Sequence, residues 1–317
     1  MIIFTPSRLH LGFIDPFGKI GRIFGSVGVA IEKPGWVIEV KKSDFLRVEA
    51  DSGEAVNKIK SVLERAEAFL NEKISLSVKV LSSVPFHKGL GAGTQLSLAI
   101  SEAVLRLFGV SHREEDIVRL SGRGRRSGAG IMSYFKGGFN IDAGKKIGSY
   151  DPPLLLFHID FPPNWLFLVV YPHIDLDIHG KLEDKKFELL KDANVFEISH
   201  LILMGLLPSL LEKDIESFGK YLTLIQRKVG EIFSLSQGGI FAHDICEKLV
   251  SLMLEEGAYG AGQSSWGPVV YGLVEKGDLA EELKAVVEDF MKRSGIEGES
   301  WLSAVSSKGR RVVAEEG

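Results

Sequence analysis

The 317-residue chain has a single cysteine, Cys246, so no intramolecular disulfide can form and a reducing compartment is expected. It has no long apolar run. The most apolar stretch, His200 to Leu211, contains Pro208 and falls well short of the ~20 residues that a spanning helix needs. A buried helix is expected there. Met1 to Pro6 carries no basic leader and no small-residue cleavage site, which leads to the expectation of a cytoplasmic protein that avoids membranes. Excess charge is also missing: 38 Lys and Arg face 42 Asp and Glu, a net of −4. That disfavours a broadly basic nucleic-acid binder and leaves small molecules as the expected partners. The eight histidines are scattered, with no i, i+4 pair and no partner for Cys246, so no metal signature is present and metal ligands stay unassigned. Asp175 and Asp177 would share one face of an extended segment, where a solvated loop is the better reading than a Mg²⁺ site.

Glycine, in contrast, is abundant. Its 35 copies make up about 11% of the chain, against an ordinary ~7%. They cluster at 12–28, 89–93, 122–148 and 257–272, marking turns or places where a ligand meets the backbone. Between them, alternation predicts half-buried antiparallel strands at 36–42 and 45–50 and a further strand at 74–81. Buried strands are expected at 152–163 and 165–172, and a last strand at 301–307. Helical spacing covers 55–70, the segment after the 89–93 loop, 111–122 with a Ser111 cap, most of 183–255, and 279–293. The change of character near 160–180 suggests two closely packed units, 1–170 and 171–317.

Four loops could carry chemistry. The first is Val84 to Gln95, where Gly89, Gly91 and Gly93 alternate between a strand and a helix, with Lys88 before them and Thr94 after. Converging backbone N–H groups and the helix N-terminus suit a phosphate. No Gly-Lys-Ser/Thr ends the loop, and the spacing is not that of a dinucleotide fingerprint. In the second, Arg123, Arg125 and Arg126 lie among small residues, with Ser127 following. Arginine forks bind phosphate or carboxylate. The third is N-terminal: Arg8 and His10 alternate with leucines and would share one strand face, and Asp15 and Arg22 flank the turn that follows. A surface ion pair is the plain alternative for those last two. The fourth loop holds Gln263, Ser264, Ser265 and Trp266, which could bond and stack a small planar ligand.

Taken together these loops resemble the GHMP kinase superfamily: Pro85-Phe-His-Lys-Gly-Leu-Gly-Ala-Gly93 is similar to its phosphate loop, and Pro6 to Gly12 to its opening motif. Within it, Arg8 to Gly12, Asp15 with Arg22, Gly89 to Ala99, Gly122 to Ile131, Gly137 to Gly144 and Gly262 to Gly272 resemble the β-ribofuranosylaminobenzene 5′-phosphate synthase branch. The resemblance implies an α+β architecture of two domains, a two-layer N-terminal domain and a ferredoxin-like C-terminal one, and a homodimer. It also implies a reaction of methanopterin biosynthesis: phosphoribosyl diphosphate and 4-aminobenzoate, or a close aryl acid such as the 4-hydroxy analogue, join with release of diphosphate and CO₂. Mg²⁺ would accompany the diphosphate, and no organic cofactor is implied.

Two departures from the kinase pattern stand out. Ala92 and Gly93 replace its Ser-Ser pair, and Gly130 stands where many of those kinases carry a catalytic Asp. An ATP-dependent small-molecule kinase is the rival expectation. On the transferase reading, Gly89, Gly91, Gly93 and Thr94 take the diphosphate, with Lys88 beside them. Arg123, Arg125, Arg126 and Ser127 bind a phosphate end. Asp15, Arg22, Arg8 and His10 form the catalytic set, and Gln263, Ser264 and Ser265 line the acceptor pocket.

Overall fold

In the computed structural model, residues 1–174, 176 and 195–314 are described. Asp175, Asp177 and the expected helical stretch at 183–194 lie outside them. The chain begins with two long antiparallel strands, β1 (Ile2–Asp15) and β2 (Arg22–Lys42). Around them an eight-stranded sheet adds β3 (Arg47–Glu49), β4 (Leu76–Ser82), β5 (Phe139–Asp142), β6 (Lys145–Lys146), β7 (Leu155–Ile159) and β12 (Arg311–Val313). β3 corrects an expectation: it pairs with β4 in parallel, because α1 (Gly53–Leu70) crosses over between them. β7 is likewise half-exposed rather than buried, since among the described residues it pairs only with β5.

Helices cover one face of this sheet. α1 starts at Ser52, whose hydroxyl accepts from the Ala55 amide, and it buries Ala55, Ile59, Val62, Leu63 and Ala66. α2 (Ala92–Leu107) is buried almost all round. α3 (Glu114–Ser121) begins after Arg113, whose amide donates to the Asp116 carboxylate at 2.8 Å, not at the expected Ser111. α4 (Ala129–Phe135) is wholly buried. At its centre Glu102 of α2 accepts from Tyr134 Oη at 2.8 Å, Arg310 Nε at 2.9 Å and Arg106 Nε at 2.8 Å. Burial pushes its carboxyl up, but the Arg310 bond and charge, with Tyr134 and Arg106, hold it below the usual range. This brace fixes the helix that carries the glycine loop.

The second sheet contains β8 (Trp165–Pro172), β9 (Gly260–Gln263), β10 (Val270–Glu275) and β11 (Gly298–Ala304), in the order β11-β8-β10-β9. Before β9 come α5 (Phe196–Leu201), a π-helical turn (Ile202–Leu206), α6 (Leu207–Glu212), α7 (Ile215–Gln237) and α8 (Asp244–Glu255). α9 (Asp278–Arg293) joins β10 to β11. A β-α-β-β-α-β path with that strand order is the ferredoxin-like arrangement. The stretch expected as a buried helix, 200–211, leaves Leu203, Met204 and Leu211 exposed. The second sheet begins at Trp165, and β12 returns from the end of the chain to pair with β1 of the first. Among the described residues no helix is long and apolar enough to cross a membrane.

Candidate active site

The loop ahead of α2 is gripped on three sides. Gly91 has φ +75° and is the N-terminal cap of α2, which has no side-chain cap. A Cβ on Gly91 would lie 2.9 Å from Arg8 Cγ, and one on Gly93 3.0 Å from Arg123 Nη2. A side chain at Gly89 would run into the Ser264 carbonyl. The glycines are therefore needed because three other segments close on the loop. Arg8 donates from Nη1 to the Gly89 carbonyl at 2.6 Å, and its amide to Leu90 O at 3.1 Å. Ser264 Oγ donates to the same Gly89 carbonyl at 2.5 Å and accepts from the His10 amide at 2.9 Å. β1, the glycine loop and the loop after β9 thus form one unit, across more than 250 residues of chain.

In front of it opens a cleft of about 740 Å³. Arg8, Lys58, Arg123, Arg125 and Arg126 line it against one carboxylate, Glu54, which is bonded to His87 at 2.6 Å. Arg123 donates to Ser97 Oγ at 3.3 Å. Burial lowers its pKa, and the charges of Arg65 and Arg125 lower it further. Lys58 is lowered by burial and by Arg123, with Glu54 opposing. Lys58 and Arg123 crowd their cationic neighbours, as in a site built for a polyanion. Gly91, Gly93, Thr94, Ser127 and His10 share the lining. Gly130 lies beside Thr94: a Cβ there would come within 3.0 Å of Thr94 Cγ2.

Some expected residues sit elsewhere. Lys88 does not line the cleft; its Nζ lies 5.5 Å from the centre of the Tyr171 ring. Asp15 and Arg22 do not pair with each other and do not line the cleft. The Asp15 carboxylate accepts from the amides of Phe17, Gly18 and Lys19, at 3.1, 2.8 and 2.8 Å, and so closes its own turn. Arg22 donates to the carbonyls of Ala143 and Gly144, at 2.8 and 2.9 Å. Neither the surface ion pair nor an open fork is what this turn displays.

One carboxylate went unnoticed in the sequence. Asp142, at the end of β5, is almost fully buried and accepts from Ser26 Oγ, from Gly128 N at 2.9 Å and from Gly144 N at 2.8 Å. Ser26 also contacts Ser127 Oγ at 2.7 Å, so the network reaches the cleft wall. Burial outweighs these bonds and pushes the carboxyl up to about 6, from 3.8. The folded chain then binds this proton more tightly than the unfolded one. Its contribution is complete below about pH 4 and is lost as pH rises through about 6, by about 3 kcal/mol. Wild-type stability relative to Asp142→Asn should therefore fall by about 3 kcal/mol from pH 4 to 6 and then level off. Thermal unfolding across that range checks this, and a wild type that gains on the variant as pH rises would refute it.

A second, smaller space adjoins the cleft. It measures about 40 Å³, room for up to roughly three waters. Phe13, Phe233, Phe241 and Trp266 supply its aromatic lining, with Gln226, Gln237 and Gln263 among them. Phe233 meets Trp266 edge to face, with centroids 5.1 Å apart. His10, Phe13, Ser265 and Trp266 line both spaces. Gln263 and Ser265 line this small space, whereas Ser264 ties the loops together. His10 is 2% exposed, its Nε2 has no partner, and burial with the Arg8 charge lowers its pKa well below 6.5.

The two-sheet architecture and the glycine loop define the class. Residues 57–138 match the GHMP kinases N terminal domain and residues 206–293 the GHMP kinases C terminal domain. A homoserine kinase structure from Cytophaga hutchinsonii superposes with a TM-score of 0.68 at 17% identity, covering 99% of this chain and 97% of that one. That likeness shows the fold. The beta-ribofuranosylphenol 5′-phosphate synthase of Methanothermobacter thermautotrophicus is 35% identical over 299 residues, 87% of this chain and 89% of that protein. The protein of the same name from Methanocaldococcus jannaschii is 32% identical over 343 residues, 98% of this chain and 100% of that protein. The chain belongs to the beta-ribofuranosylphenol 5′-phosphate synthase family.

Proposed function

We propose that the enzyme transfers the 5-phosphoribosyl group of phosphoribosyl diphosphate to the ring carbon of an aryl acid, releasing diphosphate and CO₂. The observation that carries this reading is a five-cation cleft with a glycine loop, opening beside a small pocket walled by aromatic rings. The relatives are named for a ribosylphenol, so 4-hydroxybenzoate is the first acceptor to try and 4-aminobenzoate the second.

The balance of the reaction fits such a site. A ring electron pair forms the C–C bond to the anomeric carbon as the C–O bond to diphosphate breaks, its pair leaving on the diphosphate. The C–CO₂⁻ bond then breaks and its pair restores the aromatic ring. No net proton moves, so no strong base is required, in keeping with Gly130 in place of a kinase carboxylate. The work left to the protein is to neutralise the leaving group and hold the ring carbon over the sugar. The loop amides, Arg8 and the Arg123 cluster serve the first task. Mg²⁺ would arrive on the diphosphate, with Glu54 the carboxylate available to it among the described residues lining the cleft. Asp15 and Arg22 would act by holding the turns at the end of β1.

With phosphoribosyl diphosphate, Mg²⁺ and 4-hydroxybenzoate, the expected result is equal release of diphosphate and CO₂, followed by coupled phosphate assay and labelled carboxylate. Consumption of ATP with an alcohol acceptor and no CO₂ would instead establish the kinase reading.

A further inference from the structure

The attacking carbon on the proposed reading is the one that bears the carboxylate. That end of the ring must face the cleft, where the sugar lies, and the opposite, para substituent must point into the adjoining pocket. The residues that line the pocket but not the cleft are Gly12, Gln226, Val229, Gly230, Phe233, Gln237, Ile240, Phe241 and Gln263, with no Lys, Arg, Asp or Glu. A charged para substituent would be stranded there without a counter-ion.

Its three glutamines can be accounted for atom by atom. Gln226 donates to Leu11 O at 2.7 Å and accepts from Gln263 N at 2.9 Å. Gln263 donates to Ser265 O at 3.0 Å and accepts from Ala242 N at 2.8 Å. Gln237 donates to Gly239 O at 3.1 Å and to Ile240 O at 2.6 Å, and among the described residues its Oε1 accepts nothing. The amide geometry leaves one open acceptor of the three. His10, whose Nε2 is buried and unpartnered, stands at the junction with the cleft.

Resting on the proposed function, we infer that the Phe13–Phe233–Phe241–Trp266 pocket binds the aryl ring with its para hydroxyl donating to Gln237 Oε1, and that Gln237 and the aromatic walls set acceptor specificity. The hydrogen bond also has a kinetic role. Attack by the ring carbon para to the hydroxyl puts positive charge on that oxygen, and an acceptor facing its O–H stabilises this charge. His10 Nε2 meets the carboxylate end of the ring where the pocket opens to the cleft.

The test compares wild type, Phe233→Leu and Gln237→Met by steady-state kinetics, with CO₂ release as the readout. Both variants should lower kcat/KM for 4-hydroxybenzoate at least about tenfold, and leave the KM for phosphoribosyl diphosphate within about twofold. Wild type should favour 4-hydroxybenzoate over 4-methoxybenzoate, which lacks the O–H, and Gln237→Met should narrow that preference. An unchanged acid KM, or equal losses for both substrates, would overturn the assignment. If Phe233→Leu fails to fold, the half-buried Gln237 position still decides it. If wild type releases no CO₂ from any aryl acid, the reaction itself is misread. Quenching of Trp fluorescence by aryl acids, lost in Trp266→Phe, then still supports the pocket, and absence of that quenching refutes it.

Discussion

Gly91→Val should raise the KM for phosphoribosyl diphosphate at least about 100-fold, the scale on which removing a preorganised backbone donor acts. Two effects combine. At φ +75° a β-branched residue is strained by roughly 1–2 kcal/mol, so the loop relaxes away from its present course. The new Cβ also falls 2.9 Å from Arg8 Cγ, which drives the guanidinium off the Gly89 carbonyl. Arg8 lines the cleft, so one substitution removes the cradle and displaces a cation. Leu90 and Ala92 on either side belong to the core, so Tm should fall somewhat while melting remains cooperative. Gly91→Ala, sharing the φ penalty but lacking the branch, should fall between the two. Kinetics with the aryl acid saturating would measure this, and an unchanged KM would reduce the loop to a turn.

What could be read in advance was local. Alternating glycines before a helix announce a phosphate loop, and alternate residues of a strand share a face, so Gly91, Arg8 and His10 were legible. Lys58 was not. It lies on the polar side of an ordinary amphipathic helix, and only the packing of α1 beside α2 and α3 brings it to Arg123. The aromatic pocket was equally hidden. Phe13, Phe233, Phe241 and Trp266 come from β1, α7 and two loops; Trp266 reads as a stacking group on its glycine-flanked loop, but the other three read as core in their own segments. Asp15 and Arg22 failed in the opposite way: their spacing suggested a joint role, while their partners are backbone groups, those of Arg22 more than a hundred residues away. β3 was misjudged in direction because alternation shows which face is buried but not which neighbour a strand pairs with.

The second large effect separates binding from stability. Arg123→Gln should raise the KM for phosphoribosyl diphosphate about 10–150-fold, the range of a lost charge-assisted contact of ~1.5–3 kcal/mol. Thermal stability should hold or rise. Arg123 is half-buried among Lys58, Arg65 and Arg125, and burial and those charges disfavour its own. Its protein partner is the neutral Ser97 hydroxyl at 3.3 Å, which a glutamine amide can also approach. Removing the charge relieves repulsion in the unliganded protein, and only the polyanionic substrate supplies the compensation that makes the cluster favourable. The same imbalance makes wild-type affinity fall with salt, and the variant should show a shallower slope. Paired measurements of KM against ionic strength and of Tm decide it. A drop in Tm of more than about 5 °C would mean that Arg123 holds the loop together. An unchanged KM would mean that the phosphate lies elsewhere in the cleft.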